Sequence, residues 1–241
     1  MIKIGMASLG CPKNQVDAEM MLATLKTAGF EIGAPEAEAD AIIINTCGFI
    51  EDAKKEAIEN ILEAAEYKKT GKCKALIVTG CLAERYKNDV TEEIPEVDVC
   101  VGIGADGDIA EIVTDALNGS KENVFADKYE LNLNSDRILG GYPFSTYLKI
   151  GDGCDNCCTY CAIPKIRGRM RSRTIEDCVK EAEKLAAGGV KELTVVAQDT
   201  TAYGEDIYGK PMLAKLLREL CKIEGLHWIR TLYTYPDRIT D

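Results

Sequence analysis

Four cysteines crowd into eight positions at Cys154-Asp155-Asn156-Cys157-Cys158-Thr159-Tyr160-Cys161, and thiols so close together in a reducing compartment point to a metal ion or a cluster. Spacing leaves three readings open. Two CxxC pairs could hold one zinc. The CxxxCxxC subset Cys154, Cys158 and Cys161 could ligate three irons of a cubane cluster and leave the fourth iron free to chelate a small cofactor. The third reading is a reactive dithiol. Adjacent side chains leave an extended backbone in opposite directions, so Cys157 and Cys158 are awkward co-ligands of one zinc, and Cys157 reads as a bystander to the three-cysteine cluster.

A second set is scattered. Cys11, Cys47 and Cys81 each stand just past the end of a short apolar run, beside Gly10, Gly48 and Gly80. If those runs are parallel strands, their carboxyl ends share one edge, the edge where ligands of open α/β folds bind. The competing reading is that cysteine is simply common in cores. That reading suits Cys73, Cys100, Cys178 and Cys221, which show no such placement. Lys165, Arg167, Arg169, Arg171 and Arg173 put five positive charges into nine residues. In extended chain their alternation presents one basic side to an anionic cofactor or acidic partner, with Arg167, Arg169 and Arg171 as candidate substrate contacts; a solvated loop is the plainer alternative. Gln198-Asp199-Thr200-Thr201 follows another apolar run and is a candidate for cofactor contacts. His227 and Trp228, the only residues of their types, read as packing residues.

The elements that must position these residues alternate. Strand patterns at 2–7, 41–45, 75–79 and 97–101 are separated by helical patterns at about 12–28, 51–69, near Glu84 and at 108–117. Short apolar strands alternating with helices imply an open parallel sheet covered on both faces. Residues 118–141 are polar and aperiodic, with an irregular strand expected near Val124 and Phe125. Further strands follow at 145–150, 192–197 and 226–233, with helices at 174–187 and 211–221. Three such units cannot close a barrel, so the second series is either an open sheet or part of a longer protein. The expected organisation is residues 1–120 as one domain, 121–141 as linker and 142–241 as a second α/β domain.

A net charge of −11 argues against a chain that coats nucleic acid or membrane through its overall field. No signal-peptide pattern and no apolar run of about 18 residues is seen, so the expectation is a cytoplasmic protein with no membrane partner. Its eleven cysteines are then better explained by metal sites and buried thiols than by disulfides.

At these motifs the sequence resembles the radical S-adenosylmethionine methylthiotransferases, most closely the RimO type, which modifies an aspartate of small-subunit ribosomal protein twelve. Ser8-Leu9-Gly10-Cys11-Pro12-Lys13-Asn14, Asn45-Thr46-Cys47-Gly48-Phe49-Ile50 and Thr79-Gly80-Cys81-Leu82-Ala83-Glu84-Arg85-Tyr86 resemble the cysteine segments of that family's flavodoxin-like or Rossmann-like N-terminal domain. Gly151 to Cys161, Ile166-Arg167-Gly168 and Gln198 to Gly204 resemble the first half of its partial TIM-like barrel. The sister MiaB type, which acts on tRNA, tends to have Gln-Met-Asn where this chain has Pro12-Lys13-Asn14.

The resemblance implies two [4Fe-4S] clusters, an auxiliary one on Cys11, Cys47 and Cys81 and a radical-generating one on Cys154, Cys158 and Cys161. It also implies S-adenosylmethionine bound with Tyr160 at its adenine end, and methylthio insertion at an aspartate β-carbon. A flavodoxin or ferredoxin would be the electron donor, and the sulfur donor stays open. A non-enzymatic iron-sulfur carrier and a zinc-binding interaction protein are the competing classes. The sequence departs from the family in lacking a Gly-Gly-Glu triplet after the second radical-domain strand. The second half of the barrel and the C-terminal TRAM domain are also absent from it, so the 241-residue chain is expected to bind clusters but to need that missing part for turnover.

Overall fold

Alternation along Ile42-Ile43-Ile44 and Leu76-Ile77-Val78 sends successive side chains to opposite faces of a sheet, and since every one is apolar, both faces must be covered. The computed structural model, which describes residues 1–239, shows how. The chain forms two units, Met1–Ile138 and Leu139–Asp241, the last two positions of the second lying outside the described residues.

In the first unit, β1 (Lys3–Ser8), β2 (Glu31–Ile32), β3 (Ala41–Thr46), β4 (Ala75–Gly80) and β5 (Val99–Cys100) form a parallel sheet in the order β2-β1-β3-β4-β5. The edge strand β2 is two residues long, too short to show a period, and the sequence reading has no counterpart for it. The helices are α1 (Pro12–Thr27), α2 (Glu51–Thr70), α3 (Cys81–Tyr86), α4 (Asp89–Glu93) and α5 (Ile109–Leu117). Ile43 and Ile77 join Met21, Leu25, Ile109 and Val113 in the core of one face, while Ile42, Ile44, Leu76 and Val78 join Ala57, Ile61 and Leu82 in that of the other. Each fully buried Ile or Leu contributes about 1.5–3 kcal/mol. Strand order and helix placement are those of a doubly wound α/β fold, in which ligands bind beyond the carboxyl ends of the strands.

The polar stretch read as a linker is mostly part of this unit. Val124 bridges Val101 in parallel, the Asn123 side chain accepts from the Cys100 N–H at 2.8 Å, and Arg137 pairs with buried Glu19 at 2.6 Å. These ties are made by single residues, which carry no periodicity to read.

The second unit holds β6 (Ser145–Lys149), β7 (Gly151–Asp152), α6 (Ile163–Ile166), β8 (Arg171–Ser172), α7 (Ile175–Ala187), β9 (Glu192–Val196), α8 (Glu205–Tyr208), α9 (Leu213–Leu220) and β10 (Trp228–Thr231). Its main sheet is parallel, in the order β10-β9-β6, and β7 pairs antiparallel with β8. Thr174 caps α7, its hydroxyl accepting from the Asp177 N–H at 3.1 Å. Cys178, Ala182, Leu185, Leu216 and Leu220 of α7 and α9 pack with Leu148, Leu193 and Val195 of the sheet. Among the described residues no helix is long and apolar enough to cross a membrane.

Gly80 has φ +92°, and a Cβ there would lie 2.4 Å from Asn45 Oδ1 and 2.5 Å from Thr46 O, whereas Gly29 has φ +91° with open space around it. Gly80→Ala is expected to cost the first unit more than about 3 kcal/mol and Gly29→Ala about 1 kcal/mol, read from urea unfolding of each variant.

Candidate functional site

Register brings the scattered cysteines to one level. Ser8 pairs with Asn45 and Asn45 with Thr79, so Cys47 and Cys81 each stand two residues beyond aligned partners on β3 and β4, and Cys11 three beyond Ser8 on β1. Cys11 caps α1, and Pro12 at the first helical position supplies a fixed φ where no N–H is needed. A Cβ on Gly10 would lie 2.5 Å from Cys47 Cβ, and one on Gly48 would lie 2.7 Å from Leu82 Cα, so each turn approaches the next as only glycine allows. Cys47 and Cys81 are buried and Cys11 half-buried.

Asn14 joins the three turns. It is fully buried, and its Nδ2 donates to Leu9 O at 3.2 Å and Thr46 O at 2.7 Å while its Oδ1 accepts from Cys81 Sγ at 3.6 Å. Asn45 Nδ2 in turn donates to Asn14 O at 2.8 Å.

In the second unit the cysteine loop follows β7. Cys154 is buried, Cys158 and Cys161 are half-buried, and Cys157 is exposed. The Cys161 N–H donates to Cys158 O at 3.0 Å, and the Asn156 N–H to Cys154 Sγ at 3.4 Å. Burial pushes the Cys154 thiol up, with the Asn156 N–H opposing it, so ligation must overcome a preference for the neutral form. Among the described residues no three His, Cys, Asp or Glu side chains gather around a single ion position. A cubane asks for something different, since each cysteine holds a separate iron. All-thiol donor sets at both places fit iron-sulfur chemistry.

Asp199, expected to touch a cofactor, is 1% exposed and committed to the loops. Its Oδ1 accepts from Thr201 N at 3.0 Å, Thr201 Oγ1 at 2.5 Å and Ala202 N at 3.2 Å, and its Oδ2 from Asn156 Nδ2 at 2.9 Å. It is a positioning group that fastens the cysteine loop to the end of β9. Gln198 differs: its Oε1 and Nε2 are buried with no hydrogen-bond partner, which leaves an amide ready for a bound polar group. Tyr160 is 85% exposed, its ring clear of the core.

The basic run is not one extended basic side. Arg167 is 1% exposed and its Nη1 lies 2.9 Å from Asp152 Oδ2, so it is corrected from a substrate contact to an internal tie. Burial alone would raise the Asp152 carboxyl, but Arg167, Lys149 and Arg171 outweigh it and hold it well below the usual carboxylate range. Arg173 is also buried, pairing with Glu181 and donating to Lys149 O at 2.9 Å, and Arg171 is half-buried in β8. Only Arg169 of the three candidate substrate contacts is exposed. The reason is the turn made by α6 and β8, which bends the run back against β7.

Two other expectations change. Cys73, Cys100 and Cys178 are buried, the thiols of Cys100 and Cys178 pushed up to about 12 by burial, but Cys221 ends α9 exposed to solvent. His227 and Trp228 are exposed as well, with the Arg230 guanidinium 5.6 Å from the Trp228 ring. Residues that the sequence reading passed over complete the second site. Tyr235 hydrogen-bonds Cys158, its hydroxyl pushed up by burial and by that thiol, and Arg238 reaches Glu205 at 2.9 Å and Asn156 Oδ1 at 3.5 Å. Neither lies in a patterned motif, so no local signal marks them.

A family model described as "Uncharacterized protein family UPF0004" matches residues 3–102, and one described as "Radical SAM superfamily" matches residues 148–240. Proteins named ribosomal protein uS12 methylthiotransferase RimO are 52% identical in Desulforamulus reducens and 53% identical in Pelotomaculum thermopropionicum, over 100% of this chain in each case. The chain spans 55% and 54% of those relatives, about half their length. Among solved structures, the radical S-adenosylmethionine methyltransferase TsrM from Kitasatospora setae, with cobalamin and a [4Fe-4S] cluster bound, aligns with a TM-score of 0.61. That alignment has 12% identity and covers 90% of this chain and 51% of that one. The cobalamin-dependent radical enzyme OxsB aligns at 0.51 and 13%, over 92% of this chain and 37% of that one. At such identities the likeness is one of fold.

Without Arg167, Asp152 keeps Lys149 Nζ, 3.6 Å from its Oδ2, as a buried counter-charge. Arg167→Leu is therefore expected to cost about 1–3 kcal/mol in denaturant unfolding, less than for a buried charge left with no partner, and the exposed Arg169→Ala to cost less than Arg167→Leu.

Proposed function

Because this chain belongs to the radical S-adenosylmethionine methylthiotransferase family, we propose that the protein inserts a methylthio group at the β-carbon of an aspartate in small-subunit ribosomal protein twelve. The observation that carries the reading is identity of 52–53% along the whole chain to proteins of that name. In this reading two [4Fe-4S] clusters are resident, one on Cys11, Cys47 and Cys81 and one on Cys154, Cys158 and Cys161. A flavodoxin or ferredoxin delivers electrons, and the protein works in the cytoplasm.

When bound, the clusters and S-adenosylmethionine supply the radical and sulfur-transfer chemistry. The chain's part is placement. Asn156, Asp199 and Arg238 hold the second cysteine loop against the β9 end. Gln198 offers a hydrogen-bonding amide to the cofactor, and Tyr160 an exposed ring to its adenine end. Arg169, exposed on the turn after α6, is the candidate among Arg167, Arg169 and Arg171 to meet an acidic substrate loop.

The test is anaerobic reconstitution of the complete gene product containing this chain, incubation with ribosomal protein twelve, S-adenosylmethionine and a reductant, and mass analysis of the product. A gain of about 46 Da on one aspartate is expected. Cofactor cleavage without that gain would move the substrate to tRNA, and no cleavage would end the radical reading.

Gln198 gives a second test with effects of opposite sign. Gln198→Leu removes a buried unsatisfied amide, so the ligand-free chain should gain about 1 kcal/mol in unfolding. The same variant should bind S-adenosylmethionine about tenfold more weakly by calorimetry, and unchanged affinity would take Gln198 out of the site.

A further inference from the structure

We infer that Asn14 is the positioning residue of the first cysteine site: it sets the spacing of the turns carrying Cys11, Cys47 and Cys81 and presents its carboxamide dipole to the sulfur of Cys81. The inference rests on the reading of those cysteines as auxiliary-cluster ligands.

The three turns leave strands that are level in register, and the last backbone bond between the first two is Leu9 N–H to Asn45 O at 2.9 Å. Past that level Arg85 Nη1 ties the second turn to the third helix through Gly48 O at 2.8 Å. Asn14 touches all three turns with one planar group. Two N–H bonds go to carbonyls of different turns, Leu9 O at 3.2 Å and Thr46 O at 2.7 Å, and the oxygen meets the third turn at Cys81 Sγ, 3.6 Å away. Asn14 lies one turn of helix into α1, three residues from Cys11, so the helix that carries the first cysteine also carries the group that measures the distance to the other two. Its own carbonyl is held by Asn45 Nδ2 at 2.8 Å, and a Cβ on Gly80 would lie 2.4 Å from Asn45 Oδ1, so the network is packed between β3 and β4 with no slack.

No other common side chain meets these demands. Aspartate has the shape but no N–H, leucine has neither donor nor acceptor, and glutamine is a methylene too long for a fully buried position. Hydrogen bonding and local charge at ligating sulfur are among the terms that set a cluster's reduction potential, so the group beside Cys81 acts on the cluster's electronics as well as on its geometry.

The experiment uses the 241-residue chain with Cys154, Cys158 and Cys161 all changed to Ala, so that any cluster bound belongs to the first unit. Parent, Asn14→Asp and Asn14→Ala are reconstituted anaerobically with iron and sulfide, checked for folding by circular dichroism, and compared by iron content and by redox titration followed by electron paramagnetic resonance. Asn14→Asp keeps the shape but adds negative charge beside Cys81, so its midpoint potential should move to a more negative value. Asn14→Ala should lose at least half of the bound iron. Folded variants that match the parent in iron, spectrum and potential would overturn the role of Asn14. If Asn14→Ala does not fold, the potential of the isosteric Asn14→Asp decides by itself. A parent that folds yet takes up no cluster would overturn the auxiliary-cluster reading, and this inference with it.

Discussion

Parallel strands in register end at a common level, and the first site depends on that constraint. Ser8, Asn45 and Thr79 are aligned across β1, β3 and β4, so whatever follows them emerges along one edge. The two central strands are buried along their whole length with apolar cores on both faces, so register is pinned at their polar ends, where Asn45 Nδ2 donates to Asn14 O at 2.8 Å and Gly80 leaves no room for a side chain beside Asn45. The Asn14 carboxamide then finishes locally what register begins.

The second unit solves the same problem with charge. Its four-cysteine loop follows a two-residue strand, too little backbone to define a position. The loop is held instead by groups reaching it from elsewhere in the unit: Gly168 O to the Cys154 N–H at 3.0 Å, Asp199 to Asn156, and Arg167 to Asp152 just before the first cysteine. A buried Arg–Asp pair gains stability only when its remaining bonds are met, and the Gly153 N–H on Asp152 Oδ1 at 2.9 Å meets one of them. The pair fixes the backbone immediately before Cys154, where the cysteine loop begins.

The two units share a logic. Their clustered cysteines stand on turns that have little structure of their own, and a buried polar side chain pins those turns, Asn14 in one unit and Asp199 in the other. Gln198 stands apart as an amide whose Oε1 and Nε2 are buried without a hydrogen-bond partner at the end of β9.

Much of this was legible in one dimension. Alternating apolar runs and helical periods, Pro12 at a helix start and cysteines just past strand ends depend on neighbours within a few residues, so the α/β class, the strands β3 and β4 and the placement of Cys11, Cys47 and Cys81 beyond strand ends could be read directly. What could not be read depends on partners far apart in the chain. Alternation along 165–173 looked like one basic face, yet Arg167 and Arg173 turn inward because Asp152 and Glu181 lie there to receive them. Residues 121–138 looked like a linker, yet Asn123, Val124 and Arg137 fasten them to the first unit. Asp199 reads as a cofactor contact in sequence, and its hydrogen bonds to Asn156 and Thr201 make it a loop anchor as well as a wall of the cavity beside Cys154. Local composition and period decide which elements form and which residue types are on offer. Which polar side chain is buried, and against what, is decided only when the fold brings distant charges and hydrogen-bonding groups within 3 Å or so of one another.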